Sequence, residues 1–102
     1  MGKIQQVSNG KCRNYVSDRL PFKGSNLHGC FEDQARYYVV YSYGWYPLWV
    51  YEFASGMWYE NESKYSTSTS RHKSQTAPDL SRYTVKETKK LTTDQLKSLI
   101  WN

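Results

Sequence analysis

The pattern of apolar and polar positions divides the chain into a dense aromatic middle and two polar flanks. Tyr37 to Tyr43 (YYVVYSY) predicts a strand, because β-branched and aromatic side chains fit a pleated surface. Gly44 punctuates it. Pro47 to Phe53 (PLWVYEF) predicts a second strand, with Pro47 at its start, where a missing N–H costs least. Ala54-Ser55-Gly56 predicts a turn, and Met57 to Glu60 a return strand that closes a hairpin.

Neither face of these strands alternates cleanly. Tyr37, Val39, Tyr41 and Tyr43 share one face, and Tyr38, Val40 and Ser42 the other. In the next strand Leu48, Val50 and Glu52 oppose Trp49, Tyr51 and Phe53. A sheet that is aromatic on both faces needs cover on both. Thr92-Thr93-Asp94-Gln95 fits a capping box, and Leu96, Leu99 and Ile100 follow at helical spacing. This predicts a helix over 92–101, too short to be stable alone, which docks on one face. The N-terminal segment, a second copy or a ligand are candidates to cover the other.

Elsewhere the pattern is weaker. The polar run 62–76 (ESKYSTSTSRHKSQT) reads as a fourth, half-exposed strand or as an ordered loop. Residues 77–90 read as a connection with a breaker at Pro78 and a short strand at Tyr83-Thr84-Val85. Residues 1–20 read as a loosely ordered segment with a short strand at Asn14-Tyr15-Val16, and Pro21 to Leu27 as a turn. The expected architecture is a single α+β domain over 1–102. It is a small antiparallel sheet of three to five strands with the C-terminal helix packed on one face.

Composition bounds this picture. A chain of 102 residues and 12.0 kDa forms one domain. Aromatics make up 17% of it, with ten Tyr and four Trp, so a few large half-polar side chains must build the core. No run approaches the ~18 apolar residues of a transmembrane helix. The N-terminus has no apolar core of a secretory signal, so the expected compartment is a reducing cytoplasm without membrane attachment. Two Cys do not make a disulfide scaffold, and free thiols are expected.

Charge is placed unevenly around a total of +5. Residues 1–36 carry net +3, 37–63 net −3, and 64–90 net +5. An acidic aromatic block thus lies between basic flanks. Aromatic sheets can stack unpaired bases while cations hold phosphates, and Arg13, Arg19, Lys23, Arg36 and Arg82 are the candidate phosphate contacts. The same aromatics are also the chief core material, and no RRM, C2H2 or helix-turn-helix signature is present.

A second cluster mixes hydroxyls, His and cations: Lys64, Tyr65, Thr67, Thr69, Ser70, Arg71, His72, Lys73 and Gln75. It is a candidate binding surface. As catalytic machinery, His72 would serve as base and a neighbouring hydroxyl as nucleophile, but no orienting acid or oxyanion donor accompanies them. No catalytic residue is assigned, and a small hydrolase or nuclease using His72 ranks third among the readings. Cys12, His28, Cys30 and His72 are the only Cys and His, and their spacing matches no zinc knuckle. No metal or cofactor is expected. Asn61-Glu62-Ser63 matches a glycosylation sequon, which carries no weight without a secretory signal.

The runs Tyr38-Val39-Val40-Tyr41-Ser42-Tyr43-Gly44, Trp58-Tyr59, Lys64-Tyr65-Ser66, Thr69-Ser70-Arg71-His72 and Ser74-Gln75 form a pattern. With Pro21-Phe22-Lys23-Gly24-Ser25-Asn26-Leu27 upstream, it resembles a family of small bacteriophage-encoded proteins of uncharacterised function. Their shared pattern is approximately PFxGSNL, YVVYSYG, a Trp-Tyr hairpin and KYSxTTSxHxSQ. The resemblance covers roughly residues 21–78, and Ser68 stands where Thr is common. It implies a phage accessory protein acting in the host bacterial cytoplasm and supplies no reaction.

The expected function is therefore a non-enzymatic protein that binds a host macromolecule, for example a defence or transcription component. Direct nucleic-acid binding through an aromatic sheet with basic flanks is the alternative. Self-association into a homodimer follows if one aromatic face stays uncovered.

Overall fold

A computed structural model of the chain describes residues 5–8, 11–63, 67–77 and 88–101. Its centre is an antiparallel meander of four strands: β3 (Leu27–Glu32), β4 (Tyr37–Ser42), β5 (Tyr46–Glu52) and β6 (Met57–Asn61). Short strands extend it at both edges. On one side lie β1 (Gln5–Gln6) and β2 (Phe22–Lys23), and on the other β7 (Thr88–Leu91). The β1–β2 and β6–β7 pairs are parallel, and the rest are antiparallel. Strand order follows chain order: short connections join the antiparallel neighbours, while the parallel pairs β1–β2 and β6–β7 are joined by longer crossovers. The fold is α+β, as expected. Strands β4, β5 and β6 match the expected ones; β3 is additional, β2 lies within the segment read as a turn at Pro21 to Leu27, and the short edge strands widen the sheet to seven among the described residues, beyond the three to five expected.

Three helices cover the sheet: α1 (Cys12–Ser17), α2 (Thr67–Thr76) and α3 (Thr93–Trp101). The predicted capping box opens α3. The Gln95 amide donates to Thr92 Oγ1 at 3.3 Å, and the Thr92 amide donates to Gln95 Oε1 at 2.8 Å. Leu96 and Ile100 of α3 bury with Tyr37, Val39, Tyr41 and Val50 on one face. The opposite face carries Cys12 and Val16 of α1 with Phe22, Leu27, Tyr38, Val40, Trp49 and Trp58. Helix α2 packs beside α1 on that same face. The sheet is therefore covered on both sides by this chain's own helices. The premise for a second copy, an uncovered aromatic face, is not met.

Three sequence expectations need correction. Residues 14–16 lie in α1 rather than in a strand, because Cys12 and Val16, a helical turn apart, both bury completely. Most of the 62–76 run is helix α2, neither strand nor loop. Leu48 packs on the α1 side together with Trp49, not opposite it. Pairing slips between Val40 and Tyr41, which partner Trp49 and Pro47, so Leu48 is the extra residue of a bulge. The bulge lets consecutive side chains enter the same core. The short strand expected at 83–85 lies outside the described residues.

Candidate functional site

Helix α2 shows how the hydroxyl–His segment is used. Thr69, His72 and Thr76 form its buried face. His72 Nδ1 lies 2.8 Å from the Ser42 hydroxyl of β4, a buried hydrogen bond. Thr76 Oγ1 donates back to the His72 carbonyl at 2.8 Å, which lets a hydroxyl residue sit inside a helix with its polar group paired. Trp49 Nε1 donates to the Lys73 carbonyl at 3.1 Å. Lys73 Nζ reaches Glu60 Oε2 at 2.7 Å and the Asn61 carbonyl at 3.1 Å. The cluster thus splits. Thr69, His72 and Lys73 fasten α2 to the sheet, while Ser70 and Arg71 face outward. Gln75 Oε1 is buried without a hydrogen-bond partner. Thr67 opens α2, and Lys64 and Tyr65 lie outside the described residues.

Ser42 and His72 have the spacing of a nucleophile and its base, but not the access. Ser42 is 0% exposed and His72 6%. Burial holds the His72 imidazole below its ordinary pKa, and nearby Arg71 lowers it further. A neutral, enclosed imidazole bonded to an enclosed hydroxyl fixes a helix on a sheet.

The candidate zinc ligands are divided by the sheet. Cys12 and His72 lie on the α1–α2 side, while His28 and Cys30 lie on the α3 side with Tyr41 and Val39. Asn61 of the sequon is buried, and its Nδ2 donates to the Pro47 carbonyl at 2.6 Å and to Thr93 Oγ1 at 3.0 Å. It joins β5, β6 and α3 as a polar hub, which sequence reading did not find.

The candidate phosphate contacts are dispersed. Arg13 Nη2 donates to the Ser74 carbonyl at 3.0 Å and ties α1 to α2. The Arg19 guanidinium sits 4.7 Å from the Tyr51 ring centroid. Arg36 pairs with Asp33 at 3.2 Å and lies over Tyr37 at 5.6 Å. Lys23 projects from β2 at the opposite end of β3 from Arg36. Arg82 lies outside the described residues. No single basic face gathers them. The aromatic sheet is no stacking platform either, because Tyr38, Tyr41, Trp49 and Trp58 are buried beneath helices.

Two surface features stand at opposite ends of β3. At its C-terminal end Leu20, Phe31 and Phe53 are exposed by 46, 43 and 42%. Their rings and neighbours are continuous. Phe31 and Phe53 centroids lie 6.1 Å apart, Phe53 and Tyr51 4.9 Å, and Arg19 caps Tyr51. Leu20 is held beside them by its carbonyl, which accepts from Tyr38 Oη at 2.7 Å, and Tyr38 packs edge-on to Phe31. The adjoining β3–β4 turn holds Asp33, Gln34 and Ala35 at φ of 52, 55 and 67°. Consecutive left-handed residues other than Gly are costly, and here the turn is closed by the Arg36 amide, which donates to the Asp33 carbonyl at 3.1 Å, and by the Arg36–Asp33 ion pair. At the N-terminal end of β3 a pocket of about 310 Å³ opens between the β2–β3 and β4–β5 connections.

Sequence reading does not single out Leu20, Phe31 and Phe53 as a group; of the pocket residues it names Lys23 as a phosphate contact and His28 as a metal candidate, without bringing them together. The patch residues are scattered along the chain and assembled by strand register, whereas the pocket joins the run 23–28 to Tyr43 and Gly44. No family model, curated protein or solved structure matches the chain. No helix among the described residues is long and apolar enough to cross a membrane.

Proposed function

We propose that this chain is a non-enzymatic binding protein, a phage accessory factor, that engages a host polypeptide through the Leu20–Phe31–Phe53 patch. One observation carries the reading: Phe31 and Phe53, large apolar side chains that the core leaves exposed, meet each other and run on to Tyr51, with the Arg19 guanidinium over its ring and Leu20 exposed nearby. Clustered aromatics and arginine are the composition of interface hot spots. The partner presents apolar side chains to Phe31 and Phe53, with a carboxylate at the rim for Arg19. A stable complex buries about 800 Å² on each side, so the patch is the centre of the contact rather than all of it.

Burial of Ser42 and His72 removes the support for hydrolysis. The nucleic-acid alternative loses its aromatic sheet to the covering helices and keeps only the pocket at the other end of β3. Affinity capture from a bacterial host lysate, with and without nuclease, tests the reading. A protein recovered at stoichiometric level from the nuclease-treated sample is expected. Recovery that depends wholly on intact nucleic acid contradicts it.

A further inference from the structure

The β2–β3 hairpin brings Lys23 and His28 side by side. They are register partners, so both side chains leave the sheet on the same face. Tyr41 is the next partner across the sheet, and its ring stacks on His28 with centroids 5.0 Å apart and planes 22° apart. The connection itself, Gly24-Ser25-Asn26, turns over the end of β4. The Gly24 amide donates to the Leu27 carbonyl at 2.6 Å, and the Tyr43 amide donates to the Asn26 carbonyl at 2.8 Å. These bonds set the hairpin against the β4–β5 turn, where Tyr43 and Gly44 both take positive φ.

The result is the 310 Å³ pocket, bordered by Lys23, Ser25, Asn26, His28 and Tyr43. A second hollow, of about 330 Å³, meets it along Lys23, Gly24 and Ser25, so the lysine stands on a ridge between two recesses. The Lys23 ammonium has no hydrogen-bond or ion-pair partner among the described residues, and no acidic side chain lines either recess. Two aromatic rings, His28 and Tyr43, stand at the border. Tyr43 is 41% exposed, and its ring is braced by His72 at 5.5 Å.

We propose that this pocket binds a nucleotide, its phosphate on Lys23 and Ser25 and its base against the ring of Tyr43 or His28. An unpaired ammonium with a neighbouring hydroxyl suits a phosphate. A braced, half-exposed ring suits a base face, and the Asn26 amide offers both a donor and an acceptor to a base edge. The recess reaches the lower range of small-ligand sites. Burial, with a smaller contribution from Lys23, keeps His28 below its ordinary pKa against the opposing pull of Glu32, so its ring is neutral at pH 7. The nucleotide is either free or one unit of a single strand. The site lies at the opposite end of β3 from the protein-binding patch and does not depend on it.

The test is an NMR titration of the isotope-labelled full chain at low salt. The probes are adenosine monophosphate, inorganic phosphate and an oligothymidylate of about ten nucleotides, a length within single-strand site sizes. Shifts confined to the amides of Lys23 to His28, Tyr43 and Gly44 are expected with a nucleotide probe. Phosphate alone should bind more weakly. Lys23→Ala, at an exposed position, should keep the native spectrum and weaken nucleotide binding about tenfold, the scale of one charge-assisted contact. Binding of the oligomer well above the monophosphate identifies a single strand as the ligand, and equal binding identifies a free nucleotide. Absence of shifts at millimolar nucleotide, shifts centred elsewhere, or a Lys23→Ala variant that binds like wild type overturns the site. Phosphate binding as tightly as the monophosphate overturns the stacking half of the proposal.

Discussion

The Ser42 hydroxyl and Nδ1 of His72 meet at 2.8 Å in the closed layer between β4 and α2. Removing one partner leaves the other buried and unpaired, which costs about 1–3 kcal/mol. His72→Ala should lower stability by at least this amount, and Ser42→Ala by about 1 kcal/mol or more. The pH dependence has a definite sign. The folded-state pKa of His72 is depressed, so the unfolded chain binds the proton more tightly. Its contribution is present above the ordinary histidine pKa and is lost as pH falls through the lower folded value. Urea midpoints should therefore drop below about pH 6.5, the unperturbed value, and His72→Gln should flatten that drop. His28 shifts in the same direction and supplies the remaining slope. An unchanged pH profile in His72→Gln would show that this pair does not anchor α2.

Gly29 of β3 is required by packing. A Cβ there would lie 2.6 Å from Phe22 Cε1 and against the Tyr38 hydroxyl. That hydroxyl crosses beneath β3 to reach the Leu20 carbonyl. Gly29→Ala should destabilise the fold by about 1–3 kcal/mol, as overpacking does. It should also loosen Leu20, because Tyr38 must move. Chemical denaturation and the exchange rates of amides near Leu20 check both effects.

The β3–β4 turn makes the opposite prediction. Ala35 sits at φ 67°, where an L side chain is strained and glycine is not. Ala35→Gly should raise stability by roughly 1 kcal/mol, the left-handed penalty relieved, less any extra chain entropy. A loss of stability in that variant would mean that the turn adopts another conformation.

How far the fold could be read from the sequence depended on whether the buried face is apolar. Strands β4, β5 and β6 announce themselves because Tyr, Val and Trp line both faces. Helix α3 does so through its capping box and Leu96, Leu99 and Ile100. Helix α2 buries Thr69, His72 and Thr76, so its inner face carries no apolar periodicity. Its stability comes from bonds to Ser42 and Trp49, partners that are distant in sequence. The Leu48 bulge is likewise invisible to strict alternation. The aromatic excess is mainly core material, as the burial of Tyr38, Trp49 and Trp58 shows. The part left outside is where Phe31 and Phe53 meet, a juxtaposition set by the β3–β4–β5 register.

On the proposed function, Phe31 and Phe53 are the centre of a protein-binding surface. The direct measurement compares affinity capture from nuclease-treated host lysate by wild type, Phe31→Asp, Phe53→Asp and Lys89→Glu. Phe31, Phe53 and Lys89 are all exposed, so each variant should fold, and circular dichroism checks this. Lys89 lies on β7, the far edge of the sheet. The account predicts one stoichiometric protein held by wild type and Lys89→Glu. Its affinity should fall at least tenfold in both phenylalanine variants, the loss of a hot-spot contact of about 1.4 kcal/mol or more. Equal capture by all four proteins, or none by wild type, would contradict it.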